Sequence, residues 1–396
     1  MPGFDFDAII DRRGTNAVSV EAARSSVGLS GAGLPRADDA LIRMWVADMD
    51  FAPPDVVTDA IRARLDRRIL GYTGHFDGKL YDALSGWCAG RHGWSFAKEQ
   101  LVFSSGVVAA IWQIAEDVAG PGDGIIILTP SYAPFARAAE RSGAELICSP
   151  LKKTEGRYEI DFDDLAEKAA DPRTKLLIFC NPHNPTGRIW TPEELRAVGE
   201  LAAENGLWLI SDEIHCDLTR MGIVYHPMAA ILPDYERLVV CLSASKTFNI
   251  AGLSLSEIII RDEQERRRFT AAQKGGVLNP LSMAAHEAAF SQGGPWLDAL
   301  RTYLDGNFAL TEAFLRERMP RAGHYTPEAT YLLWPELSAY VPADRAPAAF
   351  FAEKAGVILE DASSFVGNAD GCVRMNLAMP RALLRKGLER IARACT

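Results

Sequence analysis

The stretch 238–248 reads LVVCLSASKTF, in which five apolar residues are followed at once by small and hydroxyl side chains and by Lys246. A continuous apolar run of this length is typical of a strand covered on both faces of a parallel sheet. Such sheets bind ligands in the crevice beyond the carboxyl ends of their strands. A lysine there can form a Schiff base with a carbonyl compound, which makes Lys246 a candidate for covalent chemistry. Read by itself, it is equally well an exposed turn lysine.

Around this stretch, the central part of the chain alternates short apolar runs with helical patterns such as 134–142 and 192–205. Six strands are predicted, at residues 125–129, 145–149, 176–180, 207–211, 238–242 and 257–261. Alternating strands and helices predict a mostly parallel sheet with helices on both faces.

The last hundred residues have a different pattern. A helix is predicted at 297–318, short strands near 330–334 and 371–378, and a final helix over 381–394. We therefore predict an α/β protein with a large domain over 46–288 and a smaller α+β domain over 289–396. The N-terminal segment 1–45 has little periodicity. We expect it to join the small domain, although it could also form an arm to a partner chain.

Composition excludes several classes of protein. The 396 residues are 48% hydrophobic and 24% charged, which is ordinary for a soluble enzyme. A net charge of −10 without basic runs disfavours nucleic acid and anionic membranes as partners. No apolar run approaches the roughly 20 residues of a membrane helix. The seven scattered cysteines form no CxxC, and the start lacks an apolar signal core, so we expect a cytoplasmic protein.

A second polar segment, SDEIHC at 211–216, also follows an apolar run. Asp212 is a candidate to hold the pyridine nitrogen of pyridoxal phosphate (PLP) in its protonated form, the better electron sink. An Asp-Glu pair after a strand is also typical of nucleotide-binding proteins, but the chain has no GxxxxGK[ST] loop. His183, His215 and Cys216 match no zinc spacing, so no metal site is predicted.

Two further loops carry weaker signals. In CNPHNPTG at 180–187, two Asn-Pro bonds predict a rigid loop with a candidate cis peptide. An Asn side chain there could bind a cofactor hydroxyl, or the loop could be a plain turn. In SSGVV at 104–108, the start of a helical pattern offers free backbone N–H groups and a helix dipole to a phosphate.

The order HNPTG, DE, SASK resembles the fold-type I PLP enzymes of the aspartate aminotransferase superfamily. The resemblance is narrower still, to the cystathionine β-lyase type of C–S lyase (the MalY/PatB branch). It is carried by FDFDAIIDRRGT, MWVADMDF, GYT, NPHNPTGRIW, SDEIHCDL, SKTFNIAGL, PEATYLLW and VRMNLAMP. It extends from about Phe4 to the C-terminus and implies the PLP-transferase fold, pyridoxal 5'-phosphate as cofactor and an amino-acid substrate.

The resemblance also implies roles for single residues around the cofactor ring. Lys246 would be the Schiff-base lysine and would move protons, and Asp212 would pair with the pyridinium nitrogen. Asn184 would hydrogen-bond the ring hydroxyl, and Tyr132 would stack on the ring. His215 stands where many aminotransferases have a Tyr and would make the second contact to that hydroxyl.

Other residues would bind the phosphate and the substrate. For the phosphate, the implied residues are Gly106, Val107, Val108, Ser243, Ser245 and, from the neighbouring subunit, Tyr72. Arg374 would hold the substrate α-carboxylate, with Ala47 and Trp45 beside it. If Tyr72 acts across chains, the active unit is a homodimer.

Three segments depart from the pattern of the branch. They are residues 16–21, where a Lys-Trp-Asp stretch is expected; residues 275–282; and the pairs Asp361-Ala362 and Phe365-Val366, where Asp-Gly and Phe-Gly are expected. We expect all three to lie on the substrate side, which predicts an unchanged cofactor site and a remodelled substrate pocket.

The implied reaction is α,β-elimination from cystathionine or another S-substituted L-cysteine, giving a thiol, pyruvate and ammonia. A thiol has a pKa of about 8.5 and water about 15.7, so a thiolate leaves more easily than hydroxide. Three alternatives stay open. They are an aminotransferase, which shares every cofactor residue; a diverted member that decarboxylates or oxidatively deaminates an S-cysteine conjugate in secondary metabolism; and a regulator that binds a partner protein.

Overall fold

The computed structural model describes residues 3–26, 40–154, 156–273 and 278–395. Its main feature is a seven-stranded sheet, which we call the large sheet. Its strands are, in spatial order, Leu101–Ser104, Ser256–Ile260, Leu238–Leu242, Trp208–Asp212, Thr174–Cys180, Gly124–Thr129 and Glu145–Pro150. Neighbouring strands are parallel except at Ser256–Ile260, which runs against both of its neighbours. The predicted mostly parallel sheet is confirmed.

Helices cover both faces of the large sheet, because its strands are apolar on both faces. Ile126 and Leu128 pack into one apolar core, whereas Ile125 and Ile127 of the same strand pack into another. The helices of this part of the chain are Asp55–Leu65, Lys79–Trp87, Val107–Val118, Ala133–Ser142, Phe162–Ala169, Pro192–Glu204, Met228–Ile231, Ala244–Thr247, Glu263–Ala272 and Pro280–Gln292.

A second, four-stranded sheet combines both ends of the chain. Its strands are, in spatial order, Ile42–Met44, Val357–Asp361, Val373–Asn376 and Leu332–Leu333. Its helices are Gly294–Arg318, Pro347–Ala355 and Arg381–Ala394, which share a separate apolar core with it. Ile42–Met44 pairs in parallel with residues 357–359, so the N-terminal segment contributes a strand to the small domain. The expected small α+β unit is present.

The exact domain boundaries stay predictions. The boundary proposed between residues 288 and 289 falls within the helix Pro280–Gln292. The next helix, Gly294–Arg318, begins in the core of the large sheet with Trp296 and Leu300 and ends in the small-domain core with Leu315. Near the start of the chain, Val18–Glu21 and Ala23–Ser26 form short helices.

Two short strand pairs complete the fold. Lys152–Thr154 pairs with Arg157–Glu159, and Ser131–Tyr132 pairs with Phe365–Val366. Through the second pair, the small domain forms backbone hydrogen bonds with the segment that follows the large-sheet strand Gly124–Thr129. Among the described residues, no helix combines the length and apolar character that a bilayer crossing requires.

Candidate active site

A cavity of about 400 Å³ lies between the carboxyl ends of the large-sheet strands and the small domain. Most of the predicted site residues line it, namely Ala47, Gly106, Val107, Val108, Tyr132, Asn184, Asp212, His215, Ser245, Lys246 and Arg374. We call the side formed by Gly106, Asn184, Asp212, Ser245 and Lys246 the sheet wall. The side formed by Val46, Ala47, Glu360, Phe365 and Arg374 is the small-domain wall.

Lys246 lies on the short helix Ala244–Thr247, directly after the strand Leu238–Leu242. Its Nζ donates a hydrogen bond to the carbonyl oxygen of Ala47, 2.6 Å away on the opposite wall. Removal of the amine from water, together with the positive charge of Arg374, lowers the pKa of Lys246 to about 8. A much larger share of this amine is therefore unprotonated and nucleophilic near neutral pH than in an exposed lysine.

Asp212 ends the neighbouring strand and is buried. Its Oδ1 accepts a hydrogen bond from the backbone N–H of Ile214 at 3.2 Å. Burial raises the pKa of this carboxyl to about 7. A carboxylate held in such a dry position gains most from a cationic partner inside the cavity.

His215, three residues further on, is also buried, and burial lowers its pKa to about 3. Its imidazole is therefore neutral. Its Nδ1 has no hydrogen-bond partner in the described part of the protein. A buried ring nitrogen without a partner is a free donor or acceptor for a bound molecule.

The start of the helix Val107–Val118 provides the anion-binding end of the cavity. Gly106 caps this helix, and Val107 and Val108 are its first two residues. Backbone N–H groups in the first turn of a helix have no intrahelical acceptor, and the helix dipole favours negative charge there. The hydroxyl-bearing Ser245 lines the same cavity. This arrangement suits a phosphate.

Ser243 lies next to the lining of the cavity. It is buried, does not line the cavity, and donates from Oγ to the carbonyl oxygen of Leu255 at 2.8 Å. The same oxygen accepts from the backbone N–H of Ser245 at 3.1 Å, which caps the lysine helix. The hydroxyl thus helps to position the helix of Lys246, and its contact with a phosphate stays a prediction.

Asn184 follows the strand Thr174–Cys180 in a loop whose Asn181-Pro182 and Asn184-Pro185 bonds are both cis. Its Oδ1 accepts a hydrogen bond from Arg374 at 3.2 Å, so the two walls meet at this residue. Tyr132 lines the cavity beside them and pairs across strands with Phe365.

Arg374 is buried on the small-domain wall, and burial lowers its pKa. Besides Asn184, its guanidinium donates to the carbonyl oxygen of Trp45 and to Oε2 of Glu360, each at 3.3 Å. The ring of Phe365 stacks against it, with 5.1 Å between the guanidinium carbon and the ring centroid. Its Nε has no partner among the described residues. The guanidinium is thus rigidly held and keeps a free donor.

Two asparagines hold the loop that carries Ala47. Asn376 donates to the carbonyl oxygens of Val46 and Asp48, at 2.6 and 2.5 Å. Asn249 accepts from the N–H of Met49 and donates to its carbonyl oxygen, both at 2.9 Å. These bonds fix the backbone of the loop and so the carbonyl that faces Lys246.

Trp45 and Tyr72 do not line the cavity. Trp45 contributes its backbone carbonyl to Arg374, while its indole N–H donates to the carbonyl oxygen of Ser19. Tyr72 is fully exposed, in a segment where Ile69, Leu70 and Phe76 are also exposed. A role for Tyr72 in this site therefore requires a second copy of the chain.

The structure adds residues that sequence reasoning did not assign. Glu360 and Ile214 line the cavity. Glu360 follows the apolar run Val357 to Leu359, so the strand-end signal that identified Lys246 also marks it. Ile214 stands between two assigned residues.

Among the described residues, the departures from the branch pattern do not line the cavity. Phe365, which agrees with the pattern, lines it, whereas Ala362 and Val366 do not. Ser19 and Val20 of the segment 16–21 line a different cavity beside the N-terminal strand. The expectation that 16–21 faces the substrate side is therefore not met within this chain. Of the segment 275–282, residues 275–277 lie outside the described residues.

A buried cluster supports the sheet wall from behind. The carboxylate of Asp217 accepts hydrogen bonds from Trp87 at 3.0 Å and Thr247 at 3.0 Å, and lies 2.8 Å from Nε2 of His92. Asp217, His92 and Cys216 are close enough to hold a metal ion. The three hydrogen bonds already account for the carboxylate, and Thr247 adjoins Lys246. We therefore interpret the cluster as an anchor for the lysine helix.

Comparison with known proteins assigns the chain to a family. The family model for aminotransferase class I and II matches residues 41–391. The chain belongs to that family. Among curated relatives, cystathionine β-lyase PatB of Bacillus subtilis is 41% identical, over 98% of this chain and 99% of the relative. The resemblance to cystathionine β-lyases that the motifs indicated is confirmed.

Solved structures agree with the fold. A PLP-bound C–S lyase from Staphylococcus hominis, complexed with L-cycloserine, superposes with a TM-score of 0.95 at 45% identity and covers 100% of this chain and 98% of its own. Cystalysin from Treponema denticola, which contains pyridoxal 5'-phosphate, gives 0.91 at 31% identity, covering 99% and 98%. The predicted PLP-transferase fold is confirmed.

Proposed function

We propose that the protein is a PLP-dependent C–S β-lyase that converts an S-substituted L-cysteine into a thiol, pyruvate and ammonia. The observation that carries the proposal is the cavity itself. It joins a lysine amine of lowered pKa, a buried carboxylate, a helix start and a buried arginine. The activities by which the relatives are named, cystathionine β-lyase and C–S lyase, support it.

The cavity residues fit pyridoxal phosphate. The Lys246 amine would bind its aldehyde, the N–H groups of Val107 and Val108 its phosphate, and Asp212 its pyridine nitrogen. The unpartnered Nδ1 of His215 would serve the ring hydroxyl together with Asn184, whose Oδ1 already accepts from Arg374. Tyr132 and Ile214 would cover the ring. When bound, the cofactor supplies an electron sink for negative charge at the substrate Cα.

The residues of the chain then orient and deprotonate the amino acid. The free Nε of Arg374 and the rest of its guanidinium would bind the α-carboxylate, a geometry that suits a planar guanidinium. Lys246, once released from the cofactor, would take the Cα proton as a general base. The Cβ–S bond would then break with its electron pair passing to sulfur, and Lys246 would return the proton to the departing thiolate. Water hydrolyses the three-carbon remainder to pyruvate and ammonia.

We further propose a homodimer in the cytoplasm. The exposed apolar segment with Ile69, Leu70, Tyr72 and Phe76 is the kind of surface that marks an interface. In this arrangement Tyr72 would reach the phosphate of the partner's site. All seven cysteines are unpaired, which suits a reducing compartment.

Product analysis tests the reaction. The PLP-loaded protein receives S-propyl-L-cysteine without any 2-oxo acid, and thiol, pyruvate and ammonia are quantified by mass spectrometry and enzymatic assay. We expect the three products in equal amounts. A 2-oxo acid that retains its sulfur substituent, formed only when an amino-group acceptor is added, would identify an aminotransferase instead. Loss of carbon dioxide with the C–S bond intact would identify the decarboxylating alternative.

A further inference from the structure

Glu360 lies on the small-domain wall directly across the strand pair from Arg374. Its Oε2 is 3.3 Å from the guanidinium, and its side chain is only 16% exposed. It faces the cavity from the wall that we assign to the substrate. A carboxylate in that position interacts electrostatically with any charge on the sulfur substituent of the substrate.

The charges of the cavity lining leave Glu360 only a shared counterpart once the site is filled. The charged lining residues of the described chain are Asp212, Lys246, Glu360 and Arg374. In the proposed function, Asp212 pairs with the cofactor ring, Lys246 is released from the cofactor to act as a neutral general base, and Arg374 binds the substrate α-carboxylate. Glu360 then shares the single guanidinium with a second carboxylate.

An additional anion on the substrate would be unfavourable at this wall. Phe365 and Val46 are apolar, and Ala47 exposes a carbonyl oxygen that already accepts from Lys246 and Tyr331. None of the lining residues offers a third cation. A buried charge without a partner is costly, whereas a cation near Glu360 would restore the balance.

We propose that Glu360 determines the substrate class, so that the site selects cysteine thioethers whose sulfur substituent carries a cation and rejects those whose substituent carries an anion. Substrates with a neutral substituent should have intermediate kcat/KM values. This inference rests on the proposed lyase function and specifies its substrate. It also disfavours free carboxylates on the leaving group, which lack a cationic partner here.

Three thioethers of similar size provide the test. They are S-(2-aminoethyl)-L-cysteine, S-propyl-L-cysteine and S-carboxymethyl-L-cysteine, which are cationic, neutral and anionic. We expect kcat/KM for the cationic compound to exceed that for the anionic one by about a hundredfold, as two close charges in a partly dry site allow. Glu360→Gln should reduce this ratio to within about threefold of unity, since one pairwise charge interaction is removed. The matched control is Asp361→Asn, which removes the adjacent charge outside this cavity and should keep the wild-type ratio.

Binding without turnover separates this inference from the lyase proposal. L-Lysine and L-2-aminoadipate replace the sulfur by carbon and have no leaving group on Cβ. Their dissociation constants follow from the change that they cause in the visible spectrum of the PLP-loaded protein. We expect lysine to bind at least about tenfold more tightly, and Glu360→Gln to remove the difference.

Equal binding of the two analogues by the wild-type protein, or an unchanged ratio in Glu360→Gln, would overturn the inference. If S-propyl-L-cysteine gives no thiol while lysine still binds preferentially, the lyase proposal fails and the charge selection stands. If Glu360→Gln does not fold, Glu360→Leu and Asp361→Asn are compared by the same ratio.

Discussion

The sheet wall and the small-domain wall of the cavity are assembled in different ways. Asn184, Asp212 and Lys246 each follow or end a strand of the large sheet, and parallel strands bring these positions to one edge. Glu360 and Arg374 come from paired strands near the C-terminus, whereas Val46 directly follows the N-terminal strand Ile42–Met44, which pairs with the strand of Glu360. Reactive groups are thus specified by local sequence, whereas the substrate surface depends on long-range packing.

The largest effect is expected at the centre of the sheet wall. Lys246→Ala removes both the group that binds the cofactor aldehyde and the general base. We expect the visible absorbance of the bound cofactor to disappear and turnover to fall by about 10⁴-fold or more. Lys354→Ala, at an exposed position, is the control and should behave as wild type. A full visible band in Lys246→Ala would contradict the assignment.

The second test keeps the shape of the sheet wall and removes one charge. Asp212→Asn cannot hold the ring nitrogen in its protonated form, so we expect the cofactor to stay bound while deprotonation at Cα slows by about 10² to 10⁴-fold. Exchange of the Cα proton of alanine with deuterated solvent, followed by NMR, measures this step apart from C–S cleavage. Exchange at the wild-type rate would contradict the role of Asp212.

The anchor behind the sheet wall predicts an effect on stability. Asp217→Ala leaves the buried donors of Trp87, His92 and Thr247 without an acceptor. We expect the free energy of unfolding to fall by about 3 to 5 kcal/mol. Thr247→Val, which removes one donor, should cost about 1 to 3 kcal/mol. Equal denaturation midpoints for both variants and the wild type would show that the cluster is not an anchor.

The smallest expected effect is on the pH dependence of Lys246, whose amine on the sheet wall lies near the charge of Arg374 on the small-domain wall. Because the pKa of Lys246 is lowered to about 8, its neutral amine predominates above that pH and its ammonium form below it. The rate at which added PLP attaches to the protein, read from its visible band, should rise up to about pH 8 and then level off.

Arg374 is the second cause of this shift, after burial. Arg374→Gln removes the positive charge and should raise the pKa of Lys246, so the midpoint of the attachment rate should move to higher pH. A midpoint that does not move, or moves to lower pH, would show that the charge of Arg374 does not lower the pKa of Lys246.

The elements with clear local signals were predictable from sequence, and those that depend on long-range packing were not. The strand Leu238–Leu242 and the helix Arg381–Ala394 have the predicted bounds, because apolar runs and amphipathic periods are local signals. The strand Leu101–Ser104 was missed, since four residues at a sheet edge give little periodicity. The strand Val357–Asp361 was missed as well, and with it the place of Glu360.

Individual residues show the same limit. The resemblance assigns Ser243 to the phosphate, and the structure shows in addition that its side chain caps the helix of Lys246 and donates to the carbonyl oxygen of Leu255. The direction in which a hydroxyl points depends on such tertiary contacts, which no local pattern specifies. The segment 16–21 likewise follows the packing of the N-terminal segment, which no local pattern specifies.

The lysine that binds the cofactor can be identified directly. The PLP-loaded protein is reduced with borohydride, digested, and its peptides are analysed by mass spectrometry. We predict the mass of reduced pyridoxal phosphate on the peptide that contains Lys246. A label on a different lysine, or no label on a protein that has retained its visible band, would contradict the assignment of this cavity as the active site.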